Sequence, residues 1–287
     1  MKKSILLSAI MITGLSALDF RIGKGSYDAD VAIKSFMNHN TTHDTWVFTL
    51  SQPHTKLNEK GFFYYGDLEF LTSDTKRQNT EFANFAANYQ FPLVGSVNDM
   101  TNSFIDMFPV DGDYQAIGFD VDFGLGYDVL RKGDSYLGIA LNVGATLPTI
   151  DASDLSSKVD FAYDLVQSWE LDITTYKIGP SLKGVYALTP EVSLYGSFSL
   201  GFQKGAVKSG LLKSSVDVNG DYNALDLGVK YQAKSAPYYL QLGHTSKHWN
   251  VDSVEVNLYN FFQADVFRPF SAELESSVTY LGVGYRF

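Results

Sequence analysis

Hydrophobic and polar residues alternate one by one over long stretches of this chain. The clearest stretch runs from Ile117 to Val129, where every odd position is apolar and every even position is Gly or Asp. Successive side chains of a β-strand point to opposite faces, so a period of two gives this segment one apolar face and one polar or small face. The pattern predicts a strand that lies between an apolar and a polar environment.

Nine further segments show the same alternation in weaker form. They are residues 46–50, 62–70, 82–91, 137–147, 169–188, 192–202, 225–231, 238–242 and 276–287. Together with residues 117–129 they predict an all-β chain of ten antiparallel strands that begins at about residue 44. The stretch from Leu18 to Ile22 also alternates, so a twelve-strand arrangement that uses residues 18–43 is the alternative.

The predicted strands are joined alternately by short and long connections. The short ones are residues 130–134, 188–191 and 233–237, and the long ones are residues 91–112, 149–168, 204–215 and 251–271. No apolar run after residue 17 is long enough for a transmembrane helix, so a membrane protein with this sequence must be a closed barrel. Transmembrane barrels place short turns on the periplasmic side and long loops outside. The rhythm therefore predicts a closed antiparallel transmembrane β-barrel with that orientation.

The last twelve residues, Ser276 to Phe287, alternate and end on an aromatic residue. This ending resembles the closing strand of Gram-negative outer-membrane β-barrel proteins. The resemblance covers about residues 18–287 and implies residence in the cell outer membrane, contact with its lipid, and insertion by the barrel-assembly machinery. The residues that would form the assembly signal are Leu281, Val283, Tyr285 and Phe287.

The amino-terminal segment fits export. Lys2 and Lys3 precede a largely apolar stretch from Ile5 to Leu15, and small residues follow up to Ala17. This order is typical of a signal peptide, and the apolar stretch is too short to span a bilayer as a helix. We therefore expect residues 1–17 to be a signal peptide and residues 18–287 to form a single barrel domain.

Composition narrows the chemistry that the chain can support. The 18 Tyr, 21 Phe and three Trp suit the aromatic girdles of a membrane barrel. Cysteine is absent, which excludes disulfides and Cys-based metal sites or nucleophiles. The net charge of −10 argues against nucleic acid as a partner. His39, His43 and His54 are badly spaced for a shared metal ion on strands, so we expect no metal and no cofactor.

If the apolar faces contact lipid, the opposite faces line the lumen. The charged residues predicted to line it are Asp67, Glu69, Asp120, Asp122, Asp128, Lys177, Lys183, Asp226 and Lys230. A small barrel can hold these charges only by pairing them or by keeping water inside. Two interpretations stay open, namely a narrow aqueous pore with a mild cation preference and a closed lumen filled by salt bridges. The sequence thus favours a non-enzymatic barrel, either a small porin-like channel for small solutes or ions or a structural surface barrel.

One pair of residues suggests an enzymatic alternative. His244 and Ser246 lie two residues apart and so share a strand face, the one that also carries Leu240 and Leu242. A His-x-Ser pair facing lipid resembles the active sites of outer-membrane phospholipase A and the lipid A deacylases, which implies acyl transfer by an activated Ser. Lys247 stands where those families usually have Asn. For an omptin-like protease, the sequence allows no cluster of His and Asp at the outer rim to be assigned.

Overall fold

The computed structural model describes residues 17–34, 37–58, 60–82, 110–156, 171–210, 212, 214–258, 265 and 267–286. Almost all of the predicted signal peptide, the predicted strand after Phe82, and Phe287 lie outside these residues. The described residues form the following strands: β1 (Ala17–Ile33), β2 (Met37–Lys56), β3 (Phe62–Ser73), β4 (Lys76–Phe82), β5 (Val110–Lys132), β6 (Ser135–Ser156), β7 (Leu171–Ala187), β8 (Val192–Ser209), β9 (Val216–Tyr231), β10 (Tyr238–Asn257) and β11 (Phe267–Arg286). No helix of the described part has the length and apolar character needed to cross a membrane.

The strands close into one antiparallel barrel. Each strand from β5 to β11 pairs with its sequence neighbours, and β1 pairs with both β2 and β11, so the sheet has no free edge there. β3 and β4 together occupy one strand position between β2 and β5. Both pair with β5, one after the other, and only residues 74 and 75 interrupt the pairing. The barrel therefore has ten strand positions. The predicted fold class and strand number are confirmed.

The predicted position of the first strand was wrong. The barrel begins with β1 at Ala17, and residues 18–43 supply β1 and the first part of β2. The reason is a change of phase along β1. Leu18, Phe20 and Ile22 point outward in its first part, whereas farther along the apolar residues Tyr27, Ala29, Val31 and Ile33 point inward and are buried. Such a strand does not alternate in one consistent phase, so period-two patterning identifies only its first part, Leu18 to Ile22.

The outer wall carries an apolar belt that starts at the barrel end where β1 begins and β11 ends, which we call the terminal end. Its exposed side chains include Leu125, Leu141, Leu182, Phe198, Leu227, Leu242, Leu281 and Val283. Exposed apolar side chains on every second residue are what a strand in lipid requires. The turns at this end are short, as in Gly133–Asp134 between β5 and β6, where Gly133 adopts the left-handed φ of 60°. The belt and the short turns support the predicted orientation.

Beyond the belt, the barrel continues with its two faces exchanged: apolar side chains point inward and polar side chains point outward. β9 has 16 residues and β5 has 23, whereas about 9–11 tilted residues suffice to cross the hydrocarbon core. In this outer part the interior is a buried apolar cluster that includes Tyr114, Ile150, Val218, Val251, Phe270 and Leu274. The outward positions there are polar, for example Asp28, Asp221 and Glu273. The strands thus form a membrane barrel below and a water-exposed barrel with an apolar core above.

Candidate functional site: the charged lumen

The upper layer of the membrane lumen is a network of two lysines and three carboxylates. Lys177 on β7 lies 2.6 Å from Asp120 and 2.9 Å from Asp122, both on β5. Lys247 on β10 lies 2.8 Å from Asp120 and 2.9 Å from Glu69 on β3. All five side chains are nearly fully buried. The network therefore spans the lumen from β3 and β5 to β7 and β10.

Neutral side chains complete the coordination of these carboxylates. Thr146 on β6 donates to Asp120 over 2.7 Å, and the Asn142 amide donates to Asp122 over 2.9 Å. The Lys177 ammonium also lies 4.0 Å from the centre of the Tyr222 ring. A buried charge is tolerated when ion pairs and hydrogen bonds replace its water shell, and this layer supplies both.

A second layer lies closer to the terminal end of the barrel. Arg21 on β1 binds Asp226 on β9 at 2.9 Å, and the Tyr280 hydroxyl donates to the same carboxylate. Tyr195 joins the layer through a 2.7 Å hydrogen bond between its hydroxyl and that of Tyr280. On the opposite wall, Lys183 lies 3.7 Å from Asp67. These groups come from strands far apart in sequence, and only barrel closure brings them together.

Stacked aromatic rings fill the terminal end of the lumen. His54 packs against Phe63 and Tyr136 with ring centres 4.2 and 4.1 Å apart, and its Nε2 lies 2.8 Å from Asp128. Glycines make room for these rings, because a Cβ on Gly126 would lie 2.4 Å from the Phe63 ring. Such small residues on the inner face permit the close approach of large neighbours.

The space left inside the membrane lumen is small. A cavity of about 80 Å³ lies between the two charged layers, with Tyr65, Asn142, Ser199 and Tyr280 among its walls. A second cavity of about 20 Å³ lies next to Trp249 and Thr146. A water molecule occupies about 30 Å³ in the liquid, so these spaces suit a few waters or a small ion rather than an organic solute.

The structure places all nine predicted lumen residues on the inner face. Asp67, Glu69, Asp120, Asp122, Lys177, Lys183 and Asp226 contribute to the two layers, and Asp128 pairs with His54 and with Arg131, the latter at 2.6 Å. Lys230 lies 4.8 Å from the centre of the Tyr239 ring, near the terminal end. The residues therefore share one interior, whereas conduction through it stays a prediction.

Sequence reasoning missed three charged members of this interior. Arg21 and Asp19 lie on β1, a segment that the ten-strand prediction leaves out and the twelve-strand alternative uses. Lys247 enters the prediction only as a departure from a motif on the outer face. The sequence does indicate that Lys247 points inward, because it follows the outward residue Ser246 and successive side chains of a strand point to opposite faces.

His244 and Ser246 point outward, at the upper margin of the apolar belt. Nδ1 of His244 lies 3.2 Å from the Thr279 hydroxyl, and Nε2 lies 3.5 Å from that of Ser277 on β11. Among the described residues, the recorded hydrogen bonds of His244 thus go to β11 and none joins it to Ser246. The arrangement favours an interfacial polar cluster.

Histidines of the outer part are buried in its interior. The centre of the His39 ring lies 4.6 Å from that of the Tyr114 ring, and His43 Nε2 forms a 2.8 Å hydrogen bond with the Thr41 hydroxyl. Burial, reinforced by the neighbouring His43, lowers the pKa of His39 to about 4. Within the described part of the chain, no group of three or more His, Asp or Glu is arranged to hold a metal ion.

Three solved structures are compared with this chain, and the first of them shares its fold. The outer membrane protease OmpT from Escherichia coli matches with a TM-score of 0.54 and 10% identity over 96% of this chain and 98% of its own. The Pseudomonas putida toluene transporter TodX matches at 10% identity with a TM-score of 0.32, covering 96% and 91%. The attachment invasion locus protein Ail of Yersinia pestis matches at 12% identity with a TM-score of 0.27, covering 95% and 99%. The likeness to OmpT concerns the fold alone, and the TM-scores of the other two matches are too low to support an argument.

The comparison with curated proteins finds no match. A family model described as "Outer membrane protein beta-barrel domain" matches residues 81–287, more than half of the chain. The match includes the strands that carry most of the lumen network and the closing strand. The chain therefore belongs to the outer membrane protein beta-barrel domain family and resides in the outer membrane.

Proposed function

We propose that this protein is a non-enzymatic surface barrel whose membrane part is closed to solutes and whose outer part acts in the extracellular space. The observation that carries the proposal is the lumen network of Lys177, Lys247, Asp120, Asp122 and Glu69. Lys247 on β10 reaches Glu69 and Asp120 on the opposite wall over 2.8–2.9 Å, and Lys177 links β7 to β5 over 2.6–2.9 Å. A hydrated solute cannot pass without breaking several of these contacts.

The porin-like alternative requires a continuous aqueous path. Ten strands lie between the side-chain-filled barrels of about eight strands and the open porins of sixteen or more, so strand number alone does not decide. The arrangement of the interior supports closure, because the ring stack of His54, Phe63 and Tyr136 lies below the charged layers and the apolar cluster lies above them.

The outer part supports a role at the cell surface. It extends the strands beyond the length that a membrane needs, and its apolar interior gives the extension a core of its own. An extension of this kind holds the outer ends of the strands away from the lipid surface. We propose that the partners of the protein bind there.

The membrane partners follow from the outer wall. Leu281, Val283 and Tyr285 point into the lipid belt with exposed fractions of 63, 45 and 46%. We propose that these side chains form part of the signal for the barrel-assembly machinery and later contact outer-membrane lipid.

Planar-bilayer conductance of the refolded protein tests closure. The wild type is expected to give no stable conductance steps, because the ion pairs block the lumen. The double variant Arg21→Ser, Tyr280→Ser removes two large side chains from the lower layer. It is compared with the wild type as the variant designed to widen the lumen. Regular steps from the wild type at low voltage would establish the channel instead. Insertion is verified in each bilayer by protease protection, so silence is not confused with failure to insert.

A further inference from the structure

The cavity of about 80 Å³ between the two charged layers has an unbalanced wall. Its charged lining consists of four carboxylates and three cations, namely Asp67, Glu69, Asp122 and Asp226 against Arg21, Lys183 and Lys247. Asp120 and Lys177, the other two members of the upper layer, carry one charge of each sign. Below the cavity, the charges that act on Lys230 are Asp19, Asp134 and Arg286, so this group holds two charges of each sign. The upper layer therefore carries three carboxylates against two ammoniums, which is one negative charge in excess although each carboxylate has an ion-pair partner.

The wall also contains an oxygen that lacks a partner. Asn142 is 5% exposed and lines the cavity. Its amide nitrogen donates to Asp122, which fixes the opposite orientation for Oδ1. Oδ1 is buried and has no hydrogen-bond partner among the described residues. A buried carbonyl oxygen without a partner is rare in proteins and points to a bound water or cation.

The two observations call for a ligand that is small, positive and bound through oxygen. Carboxylate and amide oxygens are ligands for hard cations such as the alkali and alkaline-earth ions. A divalent ion would reverse the charge of the lining, whereas a monovalent ion would neutralise it. An organic cation does not fit a space that holds only a few waters.

We propose that the cavity binds one monovalent metal cation, sodium or potassium, through Asn142 Oδ1 and the carboxylates of Asp122 and Glu69. The cation completes the charge balance of the upper layer. It thereby helps to hold β3, β5 and β6 together inside the membrane. This proposal goes beyond the proposed function, and its test measures stability and ion content rather than conductance.

The first test is the melting temperature of the full chain refolded in detergent micelles. It is measured at about pH 8, where exposed carboxylates are ionised, in sodium, potassium and choline chloride at equal ionic strength. A ligand that binds only the folded state raises its stability, so sodium or potassium should raise the melting temperature by about 3 °C or more over choline. Equal melting temperatures in the three salts would overturn the proposal and indicate that a protonated carboxylate balances the charge.

Three variants assign the effect to the cavity. Asn142→Leu removes the amide oxygen at similar size and should abolish the difference between salts. Glu69→Gln removes the excess negative charge, so it should also abolish the difference while melting in choline no lower than the wild type. Asn219→Leu alters an exposed amide on β9 and should keep the wild-type salt dependence. Loss of the dependence in Asn219→Leu as well would contradict the assignment.

Equilibrium dialysis with radioactive sodium gives a second readout that does not depend on unfolding. The wild type should retain one sodium per barrel against a choline buffer, and Glu69→Gln should retain none. Should Asn142→Leu fail to fold, this comparison still decides the question. Equal sodium content in the wild type and Glu69→Gln would refute the site.

Discussion

Replacing Lys177 with Met distinguishes a filled lumen from a wet one. Met has a similar length and no charge, so the substitution removes two ion pairs, to Asp120 at 2.6 Å and to Asp122 at 2.9 Å, with little change in packing. The Lys177 side chain is 1% exposed, and those of Asp120 and Asp122 are 5 and 11% exposed. The carboxylates are therefore left in an interior with almost no water to replace the ammonium.

The expected magnitude follows from what remains around each carboxylate. Removing one partner of a buried ion pair costs about 3–5 kcal/mol, since the other charge stays buried. Asp120 keeps Lys247 at 2.8 Å and Asp122 keeps the Asn142 amide at 2.9 Å. We therefore expect the lower end of that range, about 3 kcal/mol. In a water-filled pore the same pairs would be solvated and would contribute about 0–1 kcal/mol.

The assay is the urea dependence of unfolding of the refolded barrel, followed by tryptophan fluorescence and by heat-modifiable mobility on gels. Lys208→Met on the exposed face of β8 is the matched control and should change stability by less than about 0.5 kcal/mol. The double variant Lys177→Met with Asp122→Asn removes one charge of each sign and should recover much of the loss. If Lys177→Met were as stable as Lys208→Met, the lumen would have to be hydrated and the closed barrel would be refuted.

Three further predictions concern other parts of the molecule. The pKa of His39 is about 4 in the folded state and about 6.5 in the unfolded state, so its contribution to the free energy of unfolding should be complete above pH 7 and should fall by about 3 kcal/mol toward pH 4. His39→Gln should flatten this fall when unfolding in urea is measured at a series of pH values. An unchanged pH dependence would contradict the burial argument. Gly124→Ala places a Cβ 2.2 Å from the Tyr65 ring and should destabilise the barrel by about 1–3 kcal/mol in the same assay. Gly133→Ala is the control, because it changes only the turn between β5 and β6. Equal losses of stability in the two variants would argue against ring packing. The wild type should release no fatty acid from phospholipid or lipid A vesicles, and acyl release that disappears in Ser246→Ala but persists in Ser271→Ala would instead establish the hydrolase.

The sequence was sufficient for the architecture because the membrane imposes one rule on every strand. Alternation identified the membrane part of β5 and β6, residues 117–129 and 137–147, and the short turns oriented them. The same rule sorted inner from outer side chains, which is why all nine predicted lumen residues lie on the inner face. That part of the structure depends only on neighbours along the chain.

The rule fails where the solvent changes along a strand. In the first part of β1 lipid lies outside and polar groups lie inside, whereas in its outer part water lies outside and the apolar cluster lies inside. The apolar positions consequently shift from even to odd numbers near Gly25, and the hydrophobic signal of the whole strand cancels. A search that allowed one change of phase within each strand would have found β1, and with it Arg21 and Asp19.

Ion pairs across the lumen depend on information of another kind. Lys247 meets Glu69 and Asp120 because barrel closure brings β10 opposite β3 and β5, and the height at which they meet depends on strand tilt and register. Neither quantity is encoded in local alternation. The sequence therefore predicts which charges are inside but not which charges pair, and the difference between a pore and a closed barrel lies in that pairing. This is why the stability of Lys177→Met, which measures pairing directly, addresses function more closely than any count of charged residues in the lumen.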